Sequence, residues 1–310
     1  MIAIMKIVVT GAFGYSGKYI ARRLLTDGHE VLTLTNSLNR ENPFGSAVRA
    51  EAFHFDQPKR LVEALRGVDA LINTYWVRFN HKLFNHNEAV ENTLMLFRCA
   101  KEAGVQRIVH TSITNPDINS PLPYFSGKAE LEETLCGLGV SYAILRPTVL
   151  FGEEDVLINN IAWALRRLPV IGLFGRGDYR LQPIFVDDFA ELAVKALAEK
   201  NNIVWNAIGP ETFTYRELIE VVCGCLGLRR LIVPMPPQCA YLAMRVLGTL
   251  LGDVIITQEE IHGLMENRLC VDTPPLGKTK LTDWMQANCE TLGVRYANEL
   301  TRRVDRAMRY

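Results

Sequence analysis

Three glycines follow an apolar run near the start of the chain, in VVTGAFGYSGKYIARRLL, and they constrain the fold more than any other feature. Gly11 permits a tight turn after a strand, Gly14 lets a diphosphate approach the backbone, and Gly17 lets a helix pack closely on the strand. The exposed amides at the start of such a helix bind phosphate groups. A tight turn without a ligand is the alternative, but the strand–turn–helix context favours a dinucleotide-binding loop.

Apolar runs alternate with helical patterns over the first half of the chain. Strands are predicted in IMKIVVT, HEVLTLT, EAFHF, VDALINT, QRIVHTS and VSYAILRP. Helices are predicted over residues 15–26, in LVEALRG, over residues 83–103 and around YFSGK. Strands separated by helices imply right-handed crossovers and a parallel sheet. The predicted fold class is α/β, a Rossmann-like doubly wound parallel sheet with a smaller, mostly helical C-terminal region.

The domain prediction follows from the same pattern. Residues 1–150 are predicted to form the nucleotide-binding Rossmann domain, with residues 180–208 returning to it, and residues 151–310 to bind substrate or a partner. An apolar helix is predicted from about residue 238 to 251, interrupted by Arg245 alone, and the tail RYANELTRRVDRAMRY reads as an arginine-rich helix. Core packing and a solvated surface are the plain interpretations. The alternative is a docking surface for a membrane-associated partner or a lipid-like substrate.

Composition excludes several classes of protein. Lys plus Arg and Asp plus Glu balance at 34 each without a basic block, so nucleic acid is not a predicted partner. The apolar N-terminus lacks the cationic start and cleavage site of a signal peptide, and no apolar run reaches the ~18 residues that indicate a transmembrane helix. Cys223 and Cys225 form the one close pair among seven scattered cysteines, which favours free thiols and a reducing cytoplasm. His81 and His86 lie five apart, off one helical face, and no metal site is predicted.

The choice of dinucleotide depends on the residues after the second strand. A carboxylate about 20 residues past the glycine loop would hold the adenosine ribose of NAD. This chain has Asn36 and Ser37 there, with Arg40 nearby. Small polar groups and an arginine suit the 2′-phosphate of NADP, so NADP is preferred and NAD is the alternative, while a solvated Arg40 is nearly as well supported. Asp56 is placed to meet the adenine amino group or to cap the next helix.

These segments, in this order, resemble the extended or atypical branch of the short-chain dehydrogenase/reductase superfamily. The matching residues are TGAFGYSG, Asp56, GVDALIN, AKEAGVQRIVHTS, YFSGK and LRPTVLFG. Later stretches, RLQPIFVDDFAELAVKAL, NAIGPETFTYRELIEVV and VIITQEEIHGLMEN, are similar to the group of the nucleotide-binding accessory subunit of respiratory complex I, broadly NAD-dependent epimerase/dehydratase-like. The resemblance covers nearly the whole chain and is specific for fold and cofactor. The members of this family include active reductases and epimerases, and also proteins that bind NADP without known turnover, so the resemblance implies one of these roles.

Tyr124 and Lys128 lie four residues apart in a predicted helix and therefore on one face. A tyrosine hydroxyl ionises near pH 10, and a neighbouring ammonium lowers that pKa. The resemblance implies that Tyr124 exchanges the substrate proton and that Lys128 anchors the nicotinamide ribose and tunes Tyr124. The alternative is a chance pair, with Lys128 paired to Glu132 one turn further on. The position of the motif between HTS and YAILRPTVLFG favours the functional interpretation.

The resemblance assigns further residues to the site. A serine or threonine just past the fifth strand would hydrogen-bond the substrate; Ser112 and Thr114 are the candidates, and the usual position falls alternatively on Ile113. The implied cofactor contacts are Gly11, Phe13, Gly14, Tyr15, Gly17, Asn36, Ser37, Arg40, Asp56, Asn73, Thr74, Tyr75, Lys128, Pro147, Thr148 and Val149.

The sequence departs from this family at two places. The asparagine that the family often has in the helix before the fifth strand has no clear equivalent: its position falls on Ala89, with Asn87 and Asn92 nearby. After the fourth strand the family has small residues, whereas this chain has Tyr75 and Trp76, which form either a pocket wall or an obstruction. Both departures favour a nucleotide-binding protein without turnover over an active enzyme, although cofactor binding itself is still expected.

Two acidic residues in FVDDFAELA, Asp187 and Asp188, resemble a catalytic pair, but carboxylates at a helix start are favoured as caps.

The preferred function, from the resemblance and the Tyr124 and Lys128 pair, is an NAD(P)-dependent oxidoreductase or epimerase acting on a carbonyl or hydroxyl group of a small molecule. The alternative is a catalytically silent NADP-binding accessory or assembly protein that docks onto a membrane-associated complex through its C-terminal helices. A cytoplasmic protein is expected, with a peripheral position at the inner face of a membrane and a homo-oligomer both compatible with the sequence.

Overall fold

The computed structural model describes residues 4–305 of the chain. These residues divide into two compact units. The described part of the first unit comprises residues 4–147 and 189–206, and the second comprises Thr148–Asp188 and Ala207–Asp305. Residues 180–188, predicted to return to the nucleotide-binding unit, belong to the second unit instead.

Short strands alternate with helices along the chain. The strands are β1 (Lys6–Thr10), β2 (Glu30–Leu34), β3 (Val48–Glu51), β4 (Ala70–Asn73), β5 (Arg107–Thr111), β6 (Ser141–Pro147), β7 (Leu150–Phe151), β8 (Val170–Phe174), β9 (Arg180–Leu181), β10 (Ile184–Phe185), β11 (Ile203–Ala207), β12 (Phe213–Thr214) and β13 (Leu231–Met235). The helices are α1 (Tyr15–Thr26), α2 (Pro58–Leu65), α3 (His86–Ala103), α4 (Pro123–Gly137), α5 (Leu157–Arg167), α6 (Val186–Ala198), α7 (Tyr215–Cys225), α8 (Pro237–Leu251), α9 (Gln258–Met265), α10 (Leu281–Asn288) and α11 (Glu299–Val304), with a 3₁₀ turn at Gly45–Ala47.

The first unit is built on a seven-stranded sheet in the order β3-β2-β1-β4-β5-β6-β11. The pairs from β3 to β6 are parallel, with Val8 opposite Leu32 on one side and Leu71 on the other. Strands such as KIVVT are almost continuously apolar because helices cover both faces of a parallel sheet. The predicted Rossmann-like fold class is confirmed. Because the strand order reverses between β1 and β4, a crevice is expected at the carboxyl ends of these strands.

Two predicted element boundaries are wrong. The third strand is Val48–Glu51 rather than EAFHF, because His54 has a left-handed φ of 51° that ends the extended run, while Phe53 and Phe55 stack at 4.6 Å. The long helix begins at His86 rather than near residue 83, because Asn85 caps it by accepting a hydrogen bond from the backbone of Glu88.

The second unit has its own core, in which α5, α7 and α10 enclose residues that include Phe151, Leu218 and Met285. Three two-stranded sheets accompany the helices: β7 with β10, β9 with β12, and β8 with β13. The predicted apolar helix is confirmed as α8. The tail forms α11, and residues 306–310 of the predicted tail helix lie outside the described residues.

Candidate functional site

The glycine loop between β1 and α1 requires glycine for two reasons, a left-handed backbone at Gly11 and close backbone contacts at Gly14 and Gly17. Gly11 has a left-handed φ of 67°, and its carbonyl accepts a hydrogen bond of 2.8 Å from the Gly14 amide. A Cβ on Gly17 would lie 2.2 Å from the Gly11 oxygen, far inside van der Waals contact. A Cβ on Gly14 would lie 3.1 Å from the same oxygen. The loop is therefore a tight backbone cradle that requires these glycines.

The first turn of α1 can receive an anion. Gly14 is the N-cap and contributes no side-chain capping bond, so the helix starts with its amides directed at the space outside the loop. Phe13 is buried, and Tyr15 stands edge-on to Tyr19 with 6.3 Å between ring centroids. The geometry fits a diphosphate held by backbone amides.

The segment after β2 offers polar groups and a cation. The Ser37 amide donates to the Thr35 hydroxyl at 3.0 Å, and the Arg40 amide donates to the Ser37 carbonyl at 3.0 Å, which closes a turn. Asn36 is exposed at this turn. The turn returns the backbone of Arg40 to Ser37, just past the end of β2.

Asp56 is exposed after β3, and its carboxylate accepts a hydrogen bond from the Gln57 side chain at 3.1 Å. That bond, with smaller contributions from the backbone and from His54 and Arg60, holds the pKa of Asp56 below its usual value. The N-cap of α2 is Gln57, so the alternative prediction that Asp56 caps this helix is wrong.

A buried polar network joins the carboxyl ends of β1, β4 and β5. The Thr10 hydroxyl donates to the Asn73 side-chain oxygen at 2.9 Å and accepts the backbone amides of Thr74 and Tyr75 at 2.7 and 3.0 Å. The Asn73 amide lies 3.1 Å from Nδ1 of His110. Asn73 is fully buried, so it supports the loop after β4 rather than presenting its side chain to a ligand. Sequence reasoning overlooked His110, whose signal is a histidine within the apolar strand QRIVHTS.

Trp76 occupies the centre of an aromatic cluster beside α4. Its indole stacks on the His86 ring at 5.9 Å and meets the Tyr124 ring edge-on at 5.5 Å. Gly127 allows this approach, since a Cβ there would lie 3.3 Å from the indole. The bulky residue after β4 is therefore a wall against which Tyr124 packs. The Tyr75 hydroxyl accepts a hydrogen bond from Asn92 at 3.1 Å, which fixes the neighbouring ring.

Lys128 is almost fully buried, at 1% exposure. Its ammonium donates to the Thr111 carbonyl at 2.7 Å and lies 4.1 Å from the centre of the Trp76 ring. Burial lowers the pKa of Lys128 from 10.5 to about 7, against an opposing contribution from Glu132. Glu132 itself forms its ion pair with Arg146, at 2.9 Å from Nε, so the alternative in which Lys128 is a simple partner of Glu132 is not observed.

The two hydroxyl candidates past β5 are buried. Ser112 is 3% exposed and Thr114 is fully buried, and their amides bond the Leu145 and Pro147 carbonyls at 2.7 and 3.1 Å. Strand pairing draws both residues under the surface, and a substrate contact of one of these hydroxyls stays a prediction. Ile113, the alternative position, is buried as well.

The residues after β6 continue into the second unit. Thr148 and Val149 belong to that unit, whereas Pro147 ends the first. The Thr148 hydroxyl donates to the Gln182 carbonyl, and the Val149 carbonyl accepts the Ile184 amide at 2.9 Å. Backbone and side-chain bonds therefore fix this segment.

Asp188 lies in the first turn of α6, where its charge complements the helix dipole as predicted, and it also bonds a distant loop. Its carboxylate accepts the backbone amides of Lys278 and Thr279, each at 2.7 Å, together with the Thr279 hydroxyl at 3.1 Å. The hydrogen bonds of this carboxylate therefore fix the loop at Lys278 and Thr279 to the start of α6.

Comparisons with known proteins agree with this geometry. A protein-family model described as the NAD dependent epimerase/dehydratase family matches residues 7–208. The 40 kDa subunit of mitochondrial NADH-ubiquinone oxidoreductase from Neurospora crassa is 26% identical over 263 residues, which cover 82% of this chain and 69% of that protein. A photosystem II assembly factor from Guillardia theta is 27% identical over 76% of this chain and 74% of its own length.

Among solved structures, the triphenylmethane reductase of a Citrobacter species, complexed with NADP(H), superposes with a TM-score of 0.75. It is 17% identical to this chain, and the match covers 91% of this chain and 99% of the reductase. At that identity the likeness concerns the fold alone.

Proposed function

The chain belongs to the NAD dependent epimerase/dehydratase family, and we propose that it is an NAD(P)-dependent oxidoreductase or epimerase acting on a carbonyl or hydroxyl group through Tyr124 and Lys128. One observation carries the proposal. Tyr124 and Lys128, one turn apart on α4, both contact the Trp76 ring, at 5.5 Å between ring centroids and 4.1 Å from the ammonium. The two side chains are therefore directed to the same side of the helix, as an acid–base pair requires.

The ammonium is suited to tuning a phenol. A positive charge near a tyrosine favours the phenolate and lowers its pKa, and low solvent exposure strengthens that effect. Tyr124 would then exchange a proton with the substrate oxygen. Lys128 would hold the sugar of the cofactor once the Trp76 ring yields space beside the ammonium.

The glycine loop is the part of the site that would hold the dinucleotide. The left-handed φ of Gly11 and the close approach of its carbonyl to Gly14 and Gly17 leave a tight backbone cradle, and the α1 amides would face the diphosphate. When bound, the cofactor supplies and accepts a hydride. We propose NADP as the preferred form, because the turn at Asn36 and Ser37 brings Arg40 towards the end of β2, where a 2′-phosphate would lie.

The test compares Tyr124→Phe with a matched control, Tyr142→Phe on β6. The purified proteins are titrated with NADPH and NADH by fluorescence and then assayed against a panel of carbonyl substrates. We expect Y124F to lose at least about 100-fold in kcat while its cofactor Kd is unchanged, and Y142F to behave as wild type. Equal turnover by Y124F and the wild type would refute the acid–base assignment.

A second candidate function, a silent nucleotide-binding accessory protein, is supported by α8. Leu242, Val246 and Leu250 are 60%, 56% and 78% exposed, and they recur every four residues along one face of this helix. Among residues 4–305, no helix has both the length and the hydropathy needed to cross a bilayer. In this alternative the face docks onto a protein complex, and the C-terminal unit supplies the contact.

The two candidates are separated by one pair of variants. If the protein is an accessory subunit, the double variant Leu242→Glu, Val246→Glu should no longer co-purify with a membrane complex. If it is an enzyme, the same double variant should turn over its substrate as the wild type does. Wild-type protein that oxidises NADPH with no member of the carbonyl panel, yet co-purifies through this face, would favour the accessory role.

A further inference from the structure

The protonation of His110 is fixed by its neighbours. The Thr10 hydroxyl accepts hydrogen bonds from the backbone amides of Thr74 and Tyr75. It therefore donates its own hydrogen to the Asn73 side-chain oxygen. The Asn73 amide group is then turned towards His110 and donates to Nδ1 at 3.1 Å. A neutral imidazole that accepts at Nδ1 carries its proton on Nε2. Burial, and secondarily the charge of Lys128, keep the pKa of His110 well below its ordinary value.

Two buried atoms at the carboxyl end of β5, one on the strand and one just past it, lack protein partners. Within the described part of the chain, neither Nε2 of His110 nor Oγ of Ser112 has a hydrogen bond, although solvent reaches neither atom. The Ser112 amide continues the pairing of β5 with β6 by donating to the Leu145 carbonyl at 2.7 Å. Residues two apart along such an extended chain point to the same face, about 7 Å apart. One small molecule that bonds both groups can bridge such a spacing. Unsatisfied buried polar atoms are rare in folded proteins and require an explanation.

The ammonium of Lys128 enters the same layer. Lys128 shares a helical face with Leu131 and Leu135, which pack in one cluster with Ile108 and Phe97. The His110 ring lies edge-on to that same Phe97, at 5.3 Å between centroids. A lysine ammonium has three N–H donors; one bonds the Thr111 carbonyl, and the Trp76 ring covers another side. A further acceptor is needed for the donors that remain.

We propose that one buried water molecule joins Nε2 of His110, Oγ of Ser112 and Nζ of Lys128, and that His110 thereby acts as a positioning residue for the Lys128 ammonium. The water oxygen accepts from the imidazole and the ammonium, and one of its hydrogens bonds the serine oxygen. Three hydrogen bonds are typical of a structural internal water. The two neutral partners orient the water so that its oxygen faces the cation.

Other charged groups around the ammonium are accounted for. Glu132, on the same helix, raises the pKa of Lys128 but is engaged by Arg146 from β6. His86 of α3 reaches this region through its stack on Trp76. The water is thus the acceptor that the β5 side provides, and its loss would destabilise the charged form of Lys128.

Nuclear magnetic resonance on the full chain without cofactor tests the water site. With the six histidines labelled with ¹⁵N, the His110 ring is expected to carry its proton on Nε2 from pH 5 to 8. That proton is expected to exchange slowly and to show a cross-peak to a long-lived water. A ring that titrates in the ordinary histidine range, or one protonated on Nδ1, would overturn the inference.

Variants then test the effect on Lys128, whose pKa is followed by the ¹³Cε shift and assigned with Lys128→Met. Ser112→Ala is expected to abolish the water cross-peak and to lower the pKa of Lys128 by about 0.5 to 1. Ser126→Ala, whose hydroxyl bonds the Leu122 carbonyl at 3.3 Å, is the matched control and should change neither. An unchanged Lys128 pKa in S112A would refute the positioning role.

A second pair of variants separates this role from simple packing. His110→Gln retains an N–H donor and is expected to keep the Lys128 pKa within about 0.3 of wild type, whereas His110→Leu is expected to lower it. If H110L does not fold, S112A and H110Q still decide the matter. The inference deepens the proposed function by giving Lys128 a support, but each readout is made without substrate, so the water site can stand or fall independently of turnover.

Discussion

At the scale of single residues, Gly17 is the position where sequence and geometry are most tightly linked. Its Cα faces the Gly11 carbonyl, and a Cβ would lie 2.2 Å from that oxygen and 2.7 Å from the carbonyl carbon. Backbone atoms cannot turn aside as a flexible side chain can. The loop must therefore open to accept any other residue, which moves the amides that would bind the diphosphate.

Gly17→Ala is expected to destabilise the protein by about 1–3 kcal/mol and to weaken nucleotide binding at least tenfold. Chemical denaturation and NADPH titration measure the two effects. Gly137→Ala is the matched control in the same unit, because a Cβ there meets nothing within 4 Å, and it should bind nucleotide as wild type does. Wild-type nucleotide affinity in G17A would contradict the assignment of the loop.

Lys128 makes stability depend on pH. Its folded pKa of about 7 lies below the unfolded value near 10.5, so between these pH values the unfolded chain binds more protons than the folded one. Stability contributed by this residue therefore rises as the pH increases from 7 to 10.5, by at most about 1.4 kcal/mol per pH unit. Below pH 7 its burial cost is constant.

Lys128→Met removes this dependence. We expect the free energy of unfolding of the wild type, relative to K128M, to increase between pH 7 and pH 10, as measured by urea denaturation at each pH. Lys101→Met is the control, because the Lys101 ammonium donates to the Leu138 carbonyl at 2.8 Å at an exposed position. Parallel stability curves for K128M and the wild type over this range would show that folding does not lower the pKa of Lys128.

At the scale of elements, the sequence predicted the bounds of a helix or strand correctly where residues close in sequence determine them. The first helix, at residues 15–26, was predicted with the bounds observed, because the glycine loop starts it and the apolar positions follow the helical period. The third strand was misplaced by several residues, because aromatic residues in EAFHF suit a strand while pairing of Val48 with Val31 sets the actual one. The hydrogen-bond partners of Asp188 could not be predicted, because they come from a loop some 90 residues away.

The contact between α3 and α4 gives a test at this scale. A Cβ on Gly127 would lie 2.8 Å from a Val90 methyl group and 3.3 Å from the Trp76 indole. Gly127→Ala is therefore expected to cost about 1–3 kcal/mol despite its gain in helix propensity. The double variant Gly127→Ala, Val90→Ala should lose less free energy of unfolding than the sum of the losses of the two single variants. A double-mutant cycle measures this difference. Additive effects would mean that the helices shift freely.

At the scale of the whole molecule, the fold and the family were predictable, whereas the chemistry of the substrate was not. The order of strands, helices and glycines determines a doubly wound sheet, and the family match confirms that inference. A sheet of this kind supports many reactions, because specificity depends on loops and side chains at its edge. The buried network of His110, Asn73 and Thr10 could not be predicted, because it joins three strands that are distant in sequence.

Ligand-linked stability tests the choice of cofactor on the entire protein. A ligand at 100 times its Kd stabilises the folded state by about 2.7 kcal/mol, so the midpoint of thermal unfolding should rise with NADP more than with NAD at equal concentration. Arg40→Gln removes the cation that a 2′-phosphate would meet, and a charge-assisted hydrogen bond contributes about 1.5–3 kcal/mol. We therefore expect R40Q to lose most of the NADP-induced rise and to keep the NAD-induced one. Arg49→Gln on β3, which breaks an exposed ion pair with Glu51 at 2.9 Å, is the control and should retain the preference. If NADP still raises the unfolding midpoint of R40Q as it does that of the wild type, the neighbouring polar residues and not Arg40 select NADP. If NADP and NAD raise the midpoint of the wild type equally, the proposed preference for NADP is wrong.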